Sequence, residues 1–381
     1  MSRRHATFPT LLAASAVAAS PFLLSACGKS SSAPSGSSGI SVKASDTACE
    51  VSTTTFNTGT QTFSVSNAGS QVTEVYVYAP GDRVVGEVEN IGPSTSKKLT
   101  VALKAGNYQI ACKPGMVGKG IRTPITVRPA SGAAPTTSPE LDAAVASYRT
   151  YVVAQAELLQ ARTKPFVAAV QAGDVAKAKS LYAAARVPYE AIEPVAESFG
   201  DLDPRIDARI DDVENGQEWT GFHRLEHDLW KNGDVSKDKA VATQLTSDIA
   251  KLVDQVQRVD LSADQIGNGA KSLLDEVATS KVTGEEERYS RLDLVDFAAN
   301  VEGSQVAYQA LRPIVLAKDP ELVTKIDARF AAVQTNLAQY GSGSNFVLYD
   351  ALSKSQIRSL AADVDALIEP LSQLTATALK A

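Results

Sequence analysis

"PASGAAPTTSPELDAAVASYRTYVVAQ", residues 129–155, is where the chain changes character. It opens on small residues, threonine and proline, the composition of a linker over 129–139. Ser138 then offers a helix N-cap, Pro139 suits the first helical position, and apolar residues return every three or four places. The letters before this stretch read as strands and those after it as helices. The expectation is a β-sandwich over 40–128 followed by an all-α domain over 140–381.

Upstream, "QTFSVSN" (61–67) and "TEVYVYA" (73–79) alternate β-branched and aromatic residues with polar ones. "KKLTVAL", "GNYQIAC" and "IRTPITV" follow between glycines and prolines. About seven strands in so short a span predict a sandwich. Downstream, Asp174 caps a second helix running through 175–200, with Pro188 and Pro194 as kinks. Further helices are expected over 205–230, 237–259, 263–281, 285–317, 320–339 and 355–379. That makes about eight helices, most simply two four-helix bundles.

The first 27 residues read as an export signal. Arg3 and Arg4 precede an apolar run, Leu11 to Leu24, too short for a membrane-spanning helix. "LLSAC" then resembles the lipobox of bacterial lipoproteins, which predicts lipid on Cys27, a tether over 28–39, and a mature protein on the outer face of the cytoplasmic membrane. "SRRHATF" also resembles a twin-arginine signal, so the export route stays open. No later segment reads as membrane-spanning, so a transport role requires a separate permease. A net charge of −6 argues against nucleic acid.

The chain has three histidines, His5, His223 and His227, and His5 falls in the signal. The other two lie in "GFHRLEHDLW" (221–230), with Glu226 between them. His223 and Glu226 share a helix face. Upstream, "YEAIEPVAESFGDLD" supplies Glu190 and Glu193 three apart, then Glu197, Asp201 and Asp203, with Asp207 beyond. Carboxylates from one helix pair joined by Glu and His from another make a bundle metal site, suited to iron, zinc or manganese. Without any metal, His223 and Glu226 are a buried hydrogen-bonded pair. The sandwich has no histidine and is therefore no blue-copper site. Its Cys49 and Cys112 read either as a disulfide or, with Glu74, as a thiolate site favouring copper.

"GFHRLEHDLW" resembles the G-x-H-x-x-E motif of the imelysin family. "ARVPYEAIEPVAESFGDLDPRIDAR", "GNGAKSLLDEVATSKVTGEEERYS" and "DLVDFAANVEGSQVAYQALRP" resemble further blocks of its EfeO branch. The resemblance implies a cupredoxin-like domain ahead of an imelysin-type one. It also implies a lipoprotein of an elemental-iron uptake system, working beside a membrane iron permease and a secreted haem peroxidase. Carried over, the helical site for ferric or ferrous iron is Glu190, Glu193, His223 and Glu226, with Asp203 or Asp207 added. Zinc is a surrogate. In the sandwich the pattern falls on Cys49, Glu74 and Cys112. Arg291 stands in "YSRLDL" where relatives often have histidine.

The competing expectation is a zinc metallopeptidase of the cell envelope. In the H-x-x-E-H order of inverzincins, His223 and His227 bind zinc, Glu226 is the base, and Glu302 completes the site. Nothing beyond residue 140 reads as a strand, which weighs against that fold.

Overall fold

The computed structural model describes residues 39–129, 138–213, 216–279 and 281–380. Cys27, the signal, nearly all of the tether and most of the linker lie outside the described residues.

Nine strands form the N-terminal part: β1 (Ile40–Ala44), β2 (Cys49–Val51), β3 (Thr55–Asn57), β4 (Gly59–Asn67), β5 (Thr73–Ala79), β6 (Arg83–Ile91), β7 (Ser96–Leu103), β8 (Gly106–Pro114) and β9 (Ile121–Arg128). One sheet runs β2-β1-β4-β7 and the other β3-β9-β8-β5-β6. Val42, Phe63, Val65, Val75, Val77, Leu99 and Ile110 fill the space between them. The three-residue strands β2 and β3 carry too little alternation to be seen in the sequence.

Cys49 on β2 is bonded to Cys112 on β8, so the disulfide staples one sheet to the other. Both sulfurs are committed, and neither is a thiolate able to hold copper. Glu74 would not complete such a site in any case. Register pairs Val75 with Cys112 and Glu74 with Lys113. Successive side chains on a strand point to opposite faces, so Glu74 projects away from the cysteines. It is buried on the other face, 3.0 Å from Lys113 Nζ. The set Cys49, Glu74 and Cys112 is therefore not brought together.

The helices are α1 (Pro139–Ala172), α2 (Val175–Glu190), α3 (Leu202–Asp207), α4 (Gly221–Glu226), α5 (Lys239–Val256), α6 (Ala263–Thr279), α7 (Asp293–Lys318), α8 (Pro320–Leu337), α9 (Lys354–Leu371) and α10 (Leu374–Leu379). The Ser138 side chain caps α1 by accepting from Leu141 N at 3.3 Å. The helix expected over 205–230 is broken into α3, a 3-10 turn, α4 and a π-turn over His227–Asn232. Residues 285–292, expected to be helical, lie outside α7. One group packs α1, α2, α5 and α7, and another packs α6 to α10, so α7 serves both. Among the described residues no helix is long and apolar enough to cross a membrane.

The sandwich docks on α6 through polar contacts. Gln265 Nε2 donates to Val84 O at 3.0 Å, Asn268 Nδ2 to Thr100 O at 2.7 Å, and Ala102 N to Asp264 at 2.8 Å. Lys97 pairs with Asp275 at 2.5 Å.

Candidate metal centre

The site is built around the end of α2. Arg186 and Glu190 sit one turn apart on it and form an ion pair. The helix stops at Glu190, and Asn300 Nδ2 on α7 donates to the freed Glu190 carbonyl at 3.1 Å. A 3-10 segment, Glu193–Phe199, begins just beyond. Two glycines let neighbouring helices close on this break. A Cβ on Gly303 of α7 would lie 2.2 Å from Ala191 O, and one on Gly269 of α6 would lie 1.7 Å from Pro194 O. Neither distance is tolerable.

Arg186 is completely buried. Its guanidinium meets Glu190 and Asp207 directly, Glu287 at 2.9 Å, Asp296 at 3.3 Å and Glu286 at 3.4 Å. Lys281, 3% exposed, lies 2.7 Å from Glu193, 3.3 Å from Glu190 and 3.6 Å from Glu286. Asn300 Nδ2 reaches Glu193 at 2.6 Å and Glu190 Oε2 at 3.0 Å.

His223 closes the cluster from α4. Its Nδ1 is 3.4 Å from Glu226 and 3.9 Å from Glu287. Its Nε2 faces Asp207 at 3.7 Å and Glu286 at 3.5 Å, yet is buried without a hydrogen-bond partner. Glu226 is aimed by two backbone donors, the N–H groups of Tyr289 and Ser290, both at 2.7 Å. Tyr182 and Ser290 hydroxyls orient Glu287.

Three sets of donor atoms lie close enough to share an ion: Asp207, His223 and Glu286; His223, Glu226 and Glu287; Glu190, Glu286 and Asp296. They overlap in His223 and Glu286. Oxygen with one imidazole is a hard to borderline donor set, matching iron, zinc or manganese. Burial and Arg186 oppose charge on His223, but Asp207, Glu226 and Glu286 outweigh them and hold the imidazole up to about 9. Burial, with the charge of Glu226 added, pushes Glu287 well above the carboxylate range. Burial does the same to Asp296 against the pull of Arg186.

Of the expected residues, Glu190, His223, Glu226 and Asp207 enter the cluster directly, and Glu193 joins through Lys281 and Asn300. Asp203 instead accepts from the Tyr189 hydroxyl, and burial lifts it to about 7. Arg186, Lys281, Glu286, Glu287, Asp296 and Asn300 also line the cluster, and sequence spacing does not single them out. Arg291, in left-handed backbone, donates to the Gly284 carbonyl at 2.8 Å. A further acidic group, Glu87, Glu89 and Glu197, lies where β6 meets the 3-10 segment. Burial, then the charges of Asp203 and Glu74, raise Glu197 to about 8.

The peptidase pattern is not assembled. His227 opens the π-turn, bonds Asp228 at 2.6 Å and packs edge-on against Trp219 and Tyr289, outside every donor set that includes His223. Glu302 is exposed on α7.

The comparisons agree with this organisation. A family model described as Imelysin matches residues 144–374, and one described as a cupredoxin-like domain matches residues 14–127. The proteins named iron uptake system component EfeO in Escherichia coli strain K12 and in Shigella flexneri are each 39% identical over 344 residues, covering 88% of this chain and 90% of their own length. With its helices, its sandwich and these relatives in agreement, the chain belongs to the imelysin family as an EfeO-type member.

Proposed function

We propose that this chain binds iron outside the cytoplasmic membrane and passes it to a membrane permease. The observation that carries this is His223 Nε2, buried without a hydrogen-bond partner and facing the carboxylates of Asp207 and Glu286. A buried polar atom without a partner points to a ligand that it receives in use. The relatives named as iron uptake components support iron as the cargo, ferric or ferrous, with zinc as a surrogate. The binding residues would be Glu190, Glu193, His223 and Glu226, joined by Asp207, Glu286 and Glu287. A secreted haem peroxidase would be the second partner. Copper binding by the sandwich would first require reduction of the Cys49–Cys112 bridge.

Titration of the purified protein with ferrous iron under anaerobic conditions tests the site. His223→Ala and Glu193→Ala should each weaken binding by about 10-fold or more, the usual cost of losing a metal-site contact. Unchanged affinity in both would remove the cluster as the binding site.

The mature protein would be held to the membrane by lipid on Cys27, with residues 28–39 as a tether. Cell fractionation of Cys27→Ser should find the protein in the medium or periplasm. Retention in the membrane fraction would mean that something else anchors it.

A further inference from the structure

We propose that Lys281 is a displaceable counter-cation that occupies the iron position while the site is empty and swings out when iron enters. The proposal rests on the reading that Glu190 and Glu193 help to bind iron.

Lys281 Nζ lies 2.7 and 2.8 Å from the two Glu193 oxygens, 3.3 Å from Glu190 and 3.6 Å from Glu286. An ion joining Glu190 to Glu193 would need those same oxygens at roughly 2.0–2.2 Å. Two cations cannot share that space, since their repulsion at a few ångströms in a buried pocket is large. One of them must leave when the other arrives.

Lys281 and Arg186 differ in their freedom to leave. The Arg186 fork is locked near the end of α2 by carboxylates from α2, α3, α7 and the 286–287 turn. Lys281 stands on a three-residue 3-10 turn, Lys281–Thr283, between α6 and α7. Its charge is on a flexible four-carbon stem that makes no fixed fork. The lysine is thus the mobile cation and the arginine the permanent one.

This arrangement gives the carrier a way to unload. Without Lys281, the carboxylates left unneutralised by iron release would resist giving up the metal. With it, the returning ammonium replaces the departing ion and holds Glu190 and Glu193 in place. Lys281 therefore lowers affinity for iron and stabilises the empty form.

The test is Lys281→Met, titrated with ferrous iron anaerobically and with zinc in air, beside wild type and Glu193→Gln. Affinity should rise by about 10-fold or more, and the empty variant should melt below wild type. In wild type, acetylation of Lys281 by an amine-reactive ester, followed by mass spectrometry, should be slow in the empty protein and faster with zinc bound. Equal or weaker metal binding by Lys281→Met, while Glu193→Gln still loses metal, would overturn the proposal and leave the iron site standing. If Glu193→Gln binds like wild type, Glu193 is not part of the iron site and the proposal falls with that premise. Should Lys281→Met fail to fold, the labelling decides, and an unchanged rate on zinc loading would overturn the proposal.

Discussion

Arg186→Met should cost the protein about 3–5 kcal/mol of stability at neutral pH, the penalty for stripping the partner from buried charges. Arg186 is completely buried and touches five carboxylates, on Glu190, Asp207, Glu286, Glu287 and Asp296. Methionine fills most of its volume, so the loss is electrostatic rather than a cavity. The remaining acids repel one another in a buried site, and protonation relieves that repulsion. Burial already holds Glu287 and Asp296 well above the carboxylate range, and loss of Arg186 lifts them further. A native state whose carboxyls are raised binds more protons than the unfolded chain, so stability falls as pH rises. The deficit should accordingly be larger at pH 8 than at pH 5. Urea unfolding at both values measures it. Arg186→Lys, which keeps the charge and loses the fork, should fall between. A methionine variant as stable as wild type at pH 8 would show that the cluster is not charged as described.

The sequence made the two parts legible because each has its own period. The alternation in 73–79 became β5, and Ser138 with Pro139 became the start of α1. The site was legible only where letters repeat at helical spacing. Glu190 and His223 were found that way, whereas Arg186 looked like any arginine on a solvated helix face; its partner Glu190, one turn on, was the available hint. Glu286 and Glu287 were missed for a different reason. "GEEER" has high helix propensity and predicts helix, yet it folds as a turn after Gly284, whose φ is +80°. That turn is what delivers two carboxylates and the Tyr289 and Ser290 N–H groups to the site. Tertiary contacts overrode the propensity. Glu74 stands apart from the cysteines because of its face. Cys112 and Glu74 are close in the sheet, but strand register, which single-sequence patterning does not reveal, puts them on opposite sides.

Glu226→Gln separates a carrier from a peptidase more sharply than any other change. In an inverzincin the glutamate is the general base, so the amide should abolish proteolysis while zinc stays bound. In a carrier Glu226 is a ligand. One of its oxygens accepts from two backbone N–H groups at 2.7 Å, which leaves the other aimed at His223, 3.4 Å away. Glutamine removes the charge and must turn its single carbonyl either to those donors or to the metal. Iron affinity should fall by about 10- to 100-fold, the range seen when groups that aim or tune a metal site are lost. His227→Ala gives the opposite contrast. His227 is bonded to Asp228 and packed against Trp219 and Tyr289, away from the donor sets of His223. Its loss should leave most iron binding intact, although an inverzincin would lose its metal with it. The two variants, wild type and His223→Ala should be titrated with iron and incubated with an unfolded protein substrate. Cleavage by wild type that vanishes in Glu226→Gln with metal still bound would overturn the carrier. The expected result is iron lost from Glu226→Gln, iron kept by His227→Ala, and no cleavage by any of the four.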